Sequence, residues 1–265
     1  MSTLNKKSPI AFFDSGVGGL TVLDKVKKLL PDEQFIFYGD SAHVPYGDKT
    51  KEQLLEYARP ILDFFENKGC KAVVMACNTT SSVIYDSIKN DYSFELYPIV
   101  QSVAKILSNL EIDKLGVFAT KATIESGAYQ REISKYNKSM KVFGQYCPHW
   151  VNIVENNLIY TQKSEDIIKN DLDIMLKNSP QKIVLGCTHY PYLTKVLSKF
   201  APEEIFIDPA SDFANYIKED LKSKNLLSDN YSGNEEYYVS SDPEKFMKAS
   251  EIFYKISSEP ILKIL

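Results

Sequence analysis

Apolar residues in this chain gather in short unbroken runs, separated by longer stretches where they recur at helical spacing. The runs lie at residues 9–13, 34–38, 71–76, 95–100, 115–119, 141–145, 182–186, 204–207 and 236–240. Most are apolar continuously rather than in alternation. Strands of that kind are covered on both faces, as in parallel sheets flanked by helices. The stretches between them carry helix ends. Thr50-Lys51-Glu52-Gln53 is a capping box ahead of Leu54 and Leu55, which predicts a helix reaching Lys68, stopped at Gly69 and kinked or broken near Pro60. Ser241-Asp242-Pro243-Glu244 opens another, with proline in its first turn. The alternation predicts an α/β fold of right-handed crossover units.

The order of elements also repeats. Asp14 ends one run and Thr120 another, 106 residues later. Tyr38-Gly39-Asp40 with Pro45-Tyr46-Gly47 matches Tyr146-Cys147-Pro148-His149 at an offset of 108, and Cys77-Asn78-Thr79 matches Cys187-Thr188-His189 at 110. Little residue identity accompanies this, so it is a repeat of architecture. It predicts two pseudo-symmetric α/β lobes, each a mainly parallel sheet flanked by helices, facing each other across a cleft. Ligands of such sheets bind outside the carboxyl ends of the strands, where these motifs sit. The chain beyond Asp208 is too short for a third domain and is expected to return to the first lobe.

Composition narrows the function. The 265 residues carry a net charge of −4, with no basic excess to attract nucleic acid. No apolar run reaches the ~20 residues of a membrane span, and Met1 to Ser8 shows no signal-peptide pattern. Four cysteines form no disulfide framework. A cytoplasmic protein with no nucleic-acid or membrane partner is expected. Arg59 and Arg131 are the only arginines, and neither lies in a motif. A substrate carboxylate is therefore expected at helix-start N–H groups and hydroxyls rather than at a guanidinium fork.

The chemistry concentrates at two cysteines. Cys77 and Cys187 each end an apolar run and precede small hydroxyl or amide residues and a predicted helix. Unpaired N–H groups at a helix start favour the thiolate, whereas an unperturbed thiol, with a pKa of ~8.5, is mostly protonated at neutrality. Thr79, Thr80 and Ser81 follow Cys77 and, with Asn78, can cap a helix or hold a carboxylate. His189 stands two residues after Cys187 and can tune that thiol; His43 and His149 are weaker candidates. Asp14, followed by Ser15-Gly16-Val17-Gly18-Gly19, is a charge at a strand end, placed for a site rather than for packing. Its glycine loop lacks the lysine and hydroxyl residue of a P-loop and reads as a place of close backbone approach. Glu155 reads by itself as an ordinary helix acid, and Cys70 and Cys147 as structural.

Taken together, Phe13-Asp14-Ser15-Gly16-Val17-Gly18-Gly19-Leu20, Gly39-Asp40-Ser41-Ala42-His43-Val44-Pro45-Tyr46-Gly47, Ala76-Cys77-Asn78-Thr79, Ala119-Thr120-Lys121-Ala122-Thr123, Val154-Glu155 and Leu185-Gly186-Cys187-Thr188-His189-Tyr190-Pro191 make the chain resemble the cofactor-independent glutamate racemases of the aspartate/glutamate racemase superfamily. The resemblance implies a first lobe from residues 1–96 and 208–265 and a second from 97–207. It implies Cys77 and Cys187 as acid/base thiols, Cys77 acting on D-glutamate and Cys187 on L-glutamate. Asp14 and His189 would support the respective thiols, with Glu155 as helper. Asp14, Ser15, Pro45, Tyr46, Gly47, Asn78, Thr79, Thr120, Thr123, Thr188 and His189 would hold glutamate. No cofactor or metal is implied. The resemblance also implies a homodimer and a role in supplying D-glutamate to peptidoglycan. The chain departs from the family at Ile99-Val100-Gln101-Ser102, where a glycine- or proline-containing turn is usual, and at Ser41, where threonine is commoner.

One base on each face of Cα lets a proton leave one side and return to the other without turning the substrate over. Aspartate or another amino acid as substrate, a decarboxylase of the superfamily and a non-catalytic binding relative stay open at this point. A thiol redox or metal-binding protein would need a Cys-x-x-Cys or a dense Cys/His cluster, and the chain has neither.

Overall fold

The computed structural model describes residues 4–229, 233–251 and 254–265. In chain order the elements are β1 (Ile10–Asp14), α1 (Leu20–Leu29), β2 (Phe35–Gly39), α2 (Lys51–Asn67), β3 (Ala72–Met75), α3 (Asn78–Ile88), β4 (Glu95–Pro98) and α4 (Ile99–Ser108). There follow β5 (Lys114–Ala119), α5 (Lys121–Glu125), α6 (Ala128–Ser134), β6 (Lys141–Tyr146), α7 (Trp150–Glu155), α8 (Gln162–Leu176), β7 (Lys182–Gly186) and α9 (Thr194–Leu197). The chain ends with β8 (Phe206–Ile207), α10 (Ala210–Ser223), β9 (Glu235–Val239), α11 (Pro243–Ser250) and β10 (Ile261–Leu262).

These strands make two sheets, ordered β10-β9-β2-β1-β3-β4 and β6-β5-β7-β8. Every pairing in both is parallel. Within each sheet the chain starts in the middle, steps one way, then crosses back. The direction of winding therefore reverses between β1 and β3 and again between β5 and β7. Crevices at such reversals are the ligand sites of open α/β sheets, and the motifs of Asp14, Cys77, Thr120 and Cys187 all sit there. The architectural repeat read from spacing is this shared strand order.

The buried strands show why continuous apolar runs were needed. Ile10 and Phe12 of β1 face one cluster, with Val22 and Val26 of α1 and Phe213 and Ile217 of α10. Ala11 and Phe13 face the opposite cluster, with Leu54, Ala58 and Leu62 of α2 and Ile84 of α3. The first cluster continues through Val103 and Leu107 of α4 to Leu115, Val117 and Ala119 of β5, so one core underlies parts of both sheets. A third packs Phe118, Ile183 and Leu185 against Trp150, Ile168 and Leu172. The chain after Asp208 returns to the first sheet, where α10 packs on α1 and β9 pairs with β2.

All nine apolar runs contain strands, with three corrections. Residues 99–100 open α4 instead of extending β4. Ile99, Val103 and Leu107, with Val100 and Ala104, form a buried stripe of helical period. Ser81 Oγ accepts from the Val100 N–H at 3.0 Å, which satisfies a donor that the helix start leaves open. Residues 204–205 belong to a short 3₁₀ turn, which leaves β8 only two residues. The pair β10 had no recognisable run of its own.

Helix α2 begins at the expected box, with Thr50 and Gln53 exchanging side-chain and backbone bonds, and ends before Gly69 at φ +68. Pro60 does not break it. The carbonyl deprived of a partner is that of Glu56, an exposed residue, where water can replace the missing N–H. Asp242 caps α11 through the Lys245 N–H, with Pro243 in the first turn.

The end of β3 remote from Cys77 is anchored by a buried ion pair. Lys71 donates to the Glu33 carboxylate and to the Lys6 carbonyl, and neither ionic side chain is more than 2% exposed. Replacing Lys71 with Met should cost about 3–5 kcal/mol in urea unfolding, because the Glu33 charge would stay buried without its cation. A loss below about 1 kcal/mol would mean that the pair contributes little beyond its packing.

Candidate active site

The site is assembled at the facing carboxyl ends of the two sheets. Asp14 ends β1 and is fully buried. Its Oδ2 accepts from the Gly16 N–H at 3.1 Å, and its Oδ1 accepts from Thr188 Oγ1, across the cleft, at 3.4 Å. Burial pushes its carboxyl up to about 6, against the pull of His189 and of the Gly16 and Gly19 N–H groups. The glycine loop is the place of close approach expected of it. A Cβ on Gly18 would lie 2.4 Å from Thr188 Oγ1 and 2.9 Å from the His189 ring.

Cys77 is the N-cap of the 11-residue α3, and its thiol points to Ser15 Oγ at 3.9 Å. The N–H groups of Thr79 and Thr80 favour its thiolate, as a helix start should. Burial outweighs them, and with the neighbouring Asp14 charge it pushes the Cys77 thiol up to about 12. The activation expected from the helix alone is therefore reversed, and Cys77 is held as a thiol.

Cys187 differs. The helix expected after it is a 3₁₀ turn, Tyr190–Leu193, with Pro191 in its first turn, running into the four-residue α9. No long helix aims its N–H groups at this sulfur. His189 takes that place, with Nδ1 3.7 Å from Cys187 Sγ and Nε2 2.6 Å from Glu155 Oε1. Burial alone would lower the imidazole, but its bonds to Cys187 and Glu155 win and hold it well above the ordinary histidine range. Glu155 is held below the ordinary carboxyl range by the same contact, in spite of its own burial. One thiol thus faces a carboxylate and the other an imidazolium.

Hydroxyls close the cleft between the thiols. Thr79 at the start of α3 meets Thr120 at 2.8 Å, and Thr120 meets Thr123 at 3.0 Å, so hydrogen bonds cross from sheet to sheet. Thr80 and Ser81 turn away: Thr80 bonds the Cys77 carbonyl, and Ser81 bonds Gln101. Both thiols are buried, at 5% and 7% exposure. A cavity of about 400 Å³ lies beside them, bordered by Gly16, Pro45, Gly47, Thr120 and Glu155, though by neither sulfur.

Some candidates fall differently from the expectation. The Tyr46 hydroxyl is engaged by Asp40 and its ring is buried against Phe13, and the cavity is bordered by its neighbours Pro45 and Gly47. His43 bonds Asp40 at 2.8 Å and stacks on Tyr57, and His149 precedes α7 without joining the thiols. Arg59 and Arg131 pair with Asp91 and Glu132, away from the site. Cys147, read as structural, is buried but lines the cavity. Asp40 and Tyr129 were not singled out as functional. Asp40 had a usable signal, a charge directly after β2 just as Asp14 ends β1. Tyr129, whose hydroxyl donates to Asn78 Oδ1 at 2.7 Å, had none, because that contact exists only across the cleft. Among the described residues, no group of three or more His, Cys, Asp or Glu side chains could hold a metal ion.

The geometry has relatives. The sequence model of the Asp/Glu/hydantoin racemase family matches residues 18–214. A glutamate racemase of Carboxydothermus hydrogenoformans is 36% identical over 255 residues, 96% of this chain and 95% of that protein. The crystal structure of a glutamate racemase from Francisella tularensis in complex with D-glutamate superimposes with a TM-score of 0.90 at 29% identity, covering 98% of each chain. A glutamate racemase isoform from Bacillus anthracis gives 0.92 at 27% identity, over 98% of this chain and 99% of the other.

The raised Asp14 carboxyl has a signed consequence for stability. In the unfolded chain Asp14 titrates near 3.8 and in the folded protein near 6. Between those values the folded state binds more protons, so stability falls as pH rises through the window. Asp14→Asn should therefore be more stable than the parent above pH 6, by up to about 3 kcal/mol. The two should converge as pH drops below 4. Thermal unfolding from pH 3.5 to 7.5 tests this, and parallel curves across the range would contradict it.

Proposed function

The chain belongs to the Asp/Glu/hydantoin racemase family, and we propose that it is a cofactor-independent glutamate racemase working with two thiols. The observation that carries this reading is the placement of Cys77 and Cys187 at equivalent strand ends of two facing sheets, each with its own ionisable support. Glutamate is preferred as substrate because near full-length relatives are glutamate racemases and one related structure holds D-glutamate.

In the direction from L-glutamate, the Cys187 thiolate, paired with the His189 imidazolium, takes the Cα proton. The Cys77 thiol delivers a proton to the opposite face, and the sulfurs exchange roles. Glu155 holds the imidazole in line through Nε2. In the reverse direction Asp14 and Ser15 support Cys77. The N–H groups at the start of α3, with Asn78, Thr79, Thr120, Thr123 and Thr188, stabilise the carboxylate and the charge that develops beside it. Pro45, Tyr46 and Gly47 shape the wall against Thr120. Burial of both sulfurs keeps bulk water from the carbanion, and lobes of residues 1–96 with 208–265 and 97–207 open for exchange of substrate.

The same reading gives a cytoplasmic homodimer that supplies D-glutamate for peptidoglycan. Among the described residues, no helix is long and apolar enough to cross a membrane.

Proton NMR of the protein with L-glutamate in D₂O, without added cofactor, should show loss of the Cα–H signal as circular dichroism decays. Cys77→Ala and Cys187→Ala should each abolish racemisation. Near-normal turnover by either variant would sink the two-thiol mechanism, and activity only on aspartate would redirect the substrate assignment.

A further inference from the structure

Asn78 is the first residue of α3, beside Cys77, and is 3% exposed. A side-chain amide is donor at one end and acceptor at the other, so its usefulness to an anion depends on which end faces it. Left free, it samples both. Here Tyr129, from α6 of the opposite unit, donates its hydroxyl to Asn78 Oδ1 at 2.7 Å. The donor is fixed as well: burial raises the Tyr129 phenol far above its ordinary range, so it stays protonated. Its ring packs over the end of β7, where a Cβ on Gly186 would come 3.2 Å from it. With Oδ1 occupied, Nδ2 is the free end. Among the described residues no protein group accepts from it. Asn78 borders a water-sized cavity of about 10 Å³ together with Cys187 and Thr188.

We infer that Tyr129 is a positioning residue that locks the Asn78 amide with its Nδ2 donor toward the substrate carboxylate. This rests on the racemase reading above and adds to it a bond across the cleft. The Tyr129 hydroxyl and Asn78 come from different sheets, so the amide is oriented only when the cleft is closed. Donor alignment and water exclusion are then achieved in the same movement.

The test is a double-mutant cycle on the full chain, with racemisation of L-glutamate as readout. Tyr129→Phe should raise KM about tenfold, the loss of one oriented hydrogen bond, with a smaller change in kcat. In an Asn78→Ala background the same substitution should change KM no further, because its effect passes through the amide. A purely structural tyrosine would lower the thermal midpoint and act additively in both backgrounds, which would overturn the inference. Asn78→Asp serves should Tyr129→Phe not fold. It keeps an acceptor for Tyr129 and turns the opposite end from donor to anionic acceptor, so binding of glutamate should weaken at least 100-fold. A KM near the parent value in Asn78→Asp would show that Nδ2 does not face the substrate. Failure of the parent protein to racemise glutamate would remove the functional reading and this inference with it, whereas racemisation that Tyr129→Phe leaves unchanged would remove only the inference.

Discussion

Two thiols can address opposite faces of one carbon only if they come from separate supports that meet over a space closed to water. A single sheet presents its strand ends along one line and cannot do this. The rest of the structure follows from that constraint. Two sheets of the same strand order place their winding reversals face to face, and Cys77 and Cys187 lie at those reversals. The first sheet is completed only after the second has been built, when α10 packs on α1 and β9 pairs with β2. The core that runs through α4 to β5 holds the two in register.

Burying the sulfurs creates the second problem, because a low-dielectric cleft disfavours the thiolate on which the proposed chemistry depends. The two halves solve it differently. Cys77 has a long helix behind it but an acid beside it, and burial prevails. Cys187 has no long helix and receives instead a buried imidazole oriented by Glu155. The electrostatics therefore break the symmetry of the scaffold, setting a carboxylate beside Cys77 and an imidazolium beside Cys187. The proposed exchange of roles needs one sulfur to act as acid while the other acts as base.

The cleft is joined by polar contacts where the proposed reading requires it to open and by apolar contacts elsewhere. Thr79 with Thr120, Thr188 with Asp14, and Asn78 with Tyr129 meet at the strand ends. The packing of α10 and α3 on α4 lies behind them. A hydroxyl exchanges a protein partner for water or substrate at small net cost. Separating packed side chains would forfeit their burial.

Local pattern alone determined the strands, the capped start of α2, the parallel α/β class and the repeated order of motifs, because each depends on residues near in sequence. It also singled out Asp14, Cys77, Cys187 and His189, whose residue types are unusual at strand ends. Tertiary structure decided what each of them meets. Glu155 looked like any helix acid until α7 brought it to the far nitrogen of His189. The Tyr46 hydroxyl looked free until the fold gave it Asp40 as a partner. Tyr129 had no signal at all. Periodicity and capping are properties of a few neighbouring residues, whereas the protonation of a buried thiol and the facing of an amide depend on charges and dipoles delivered by segments 34 to 174 residues away. Only the folded cleft brings those together.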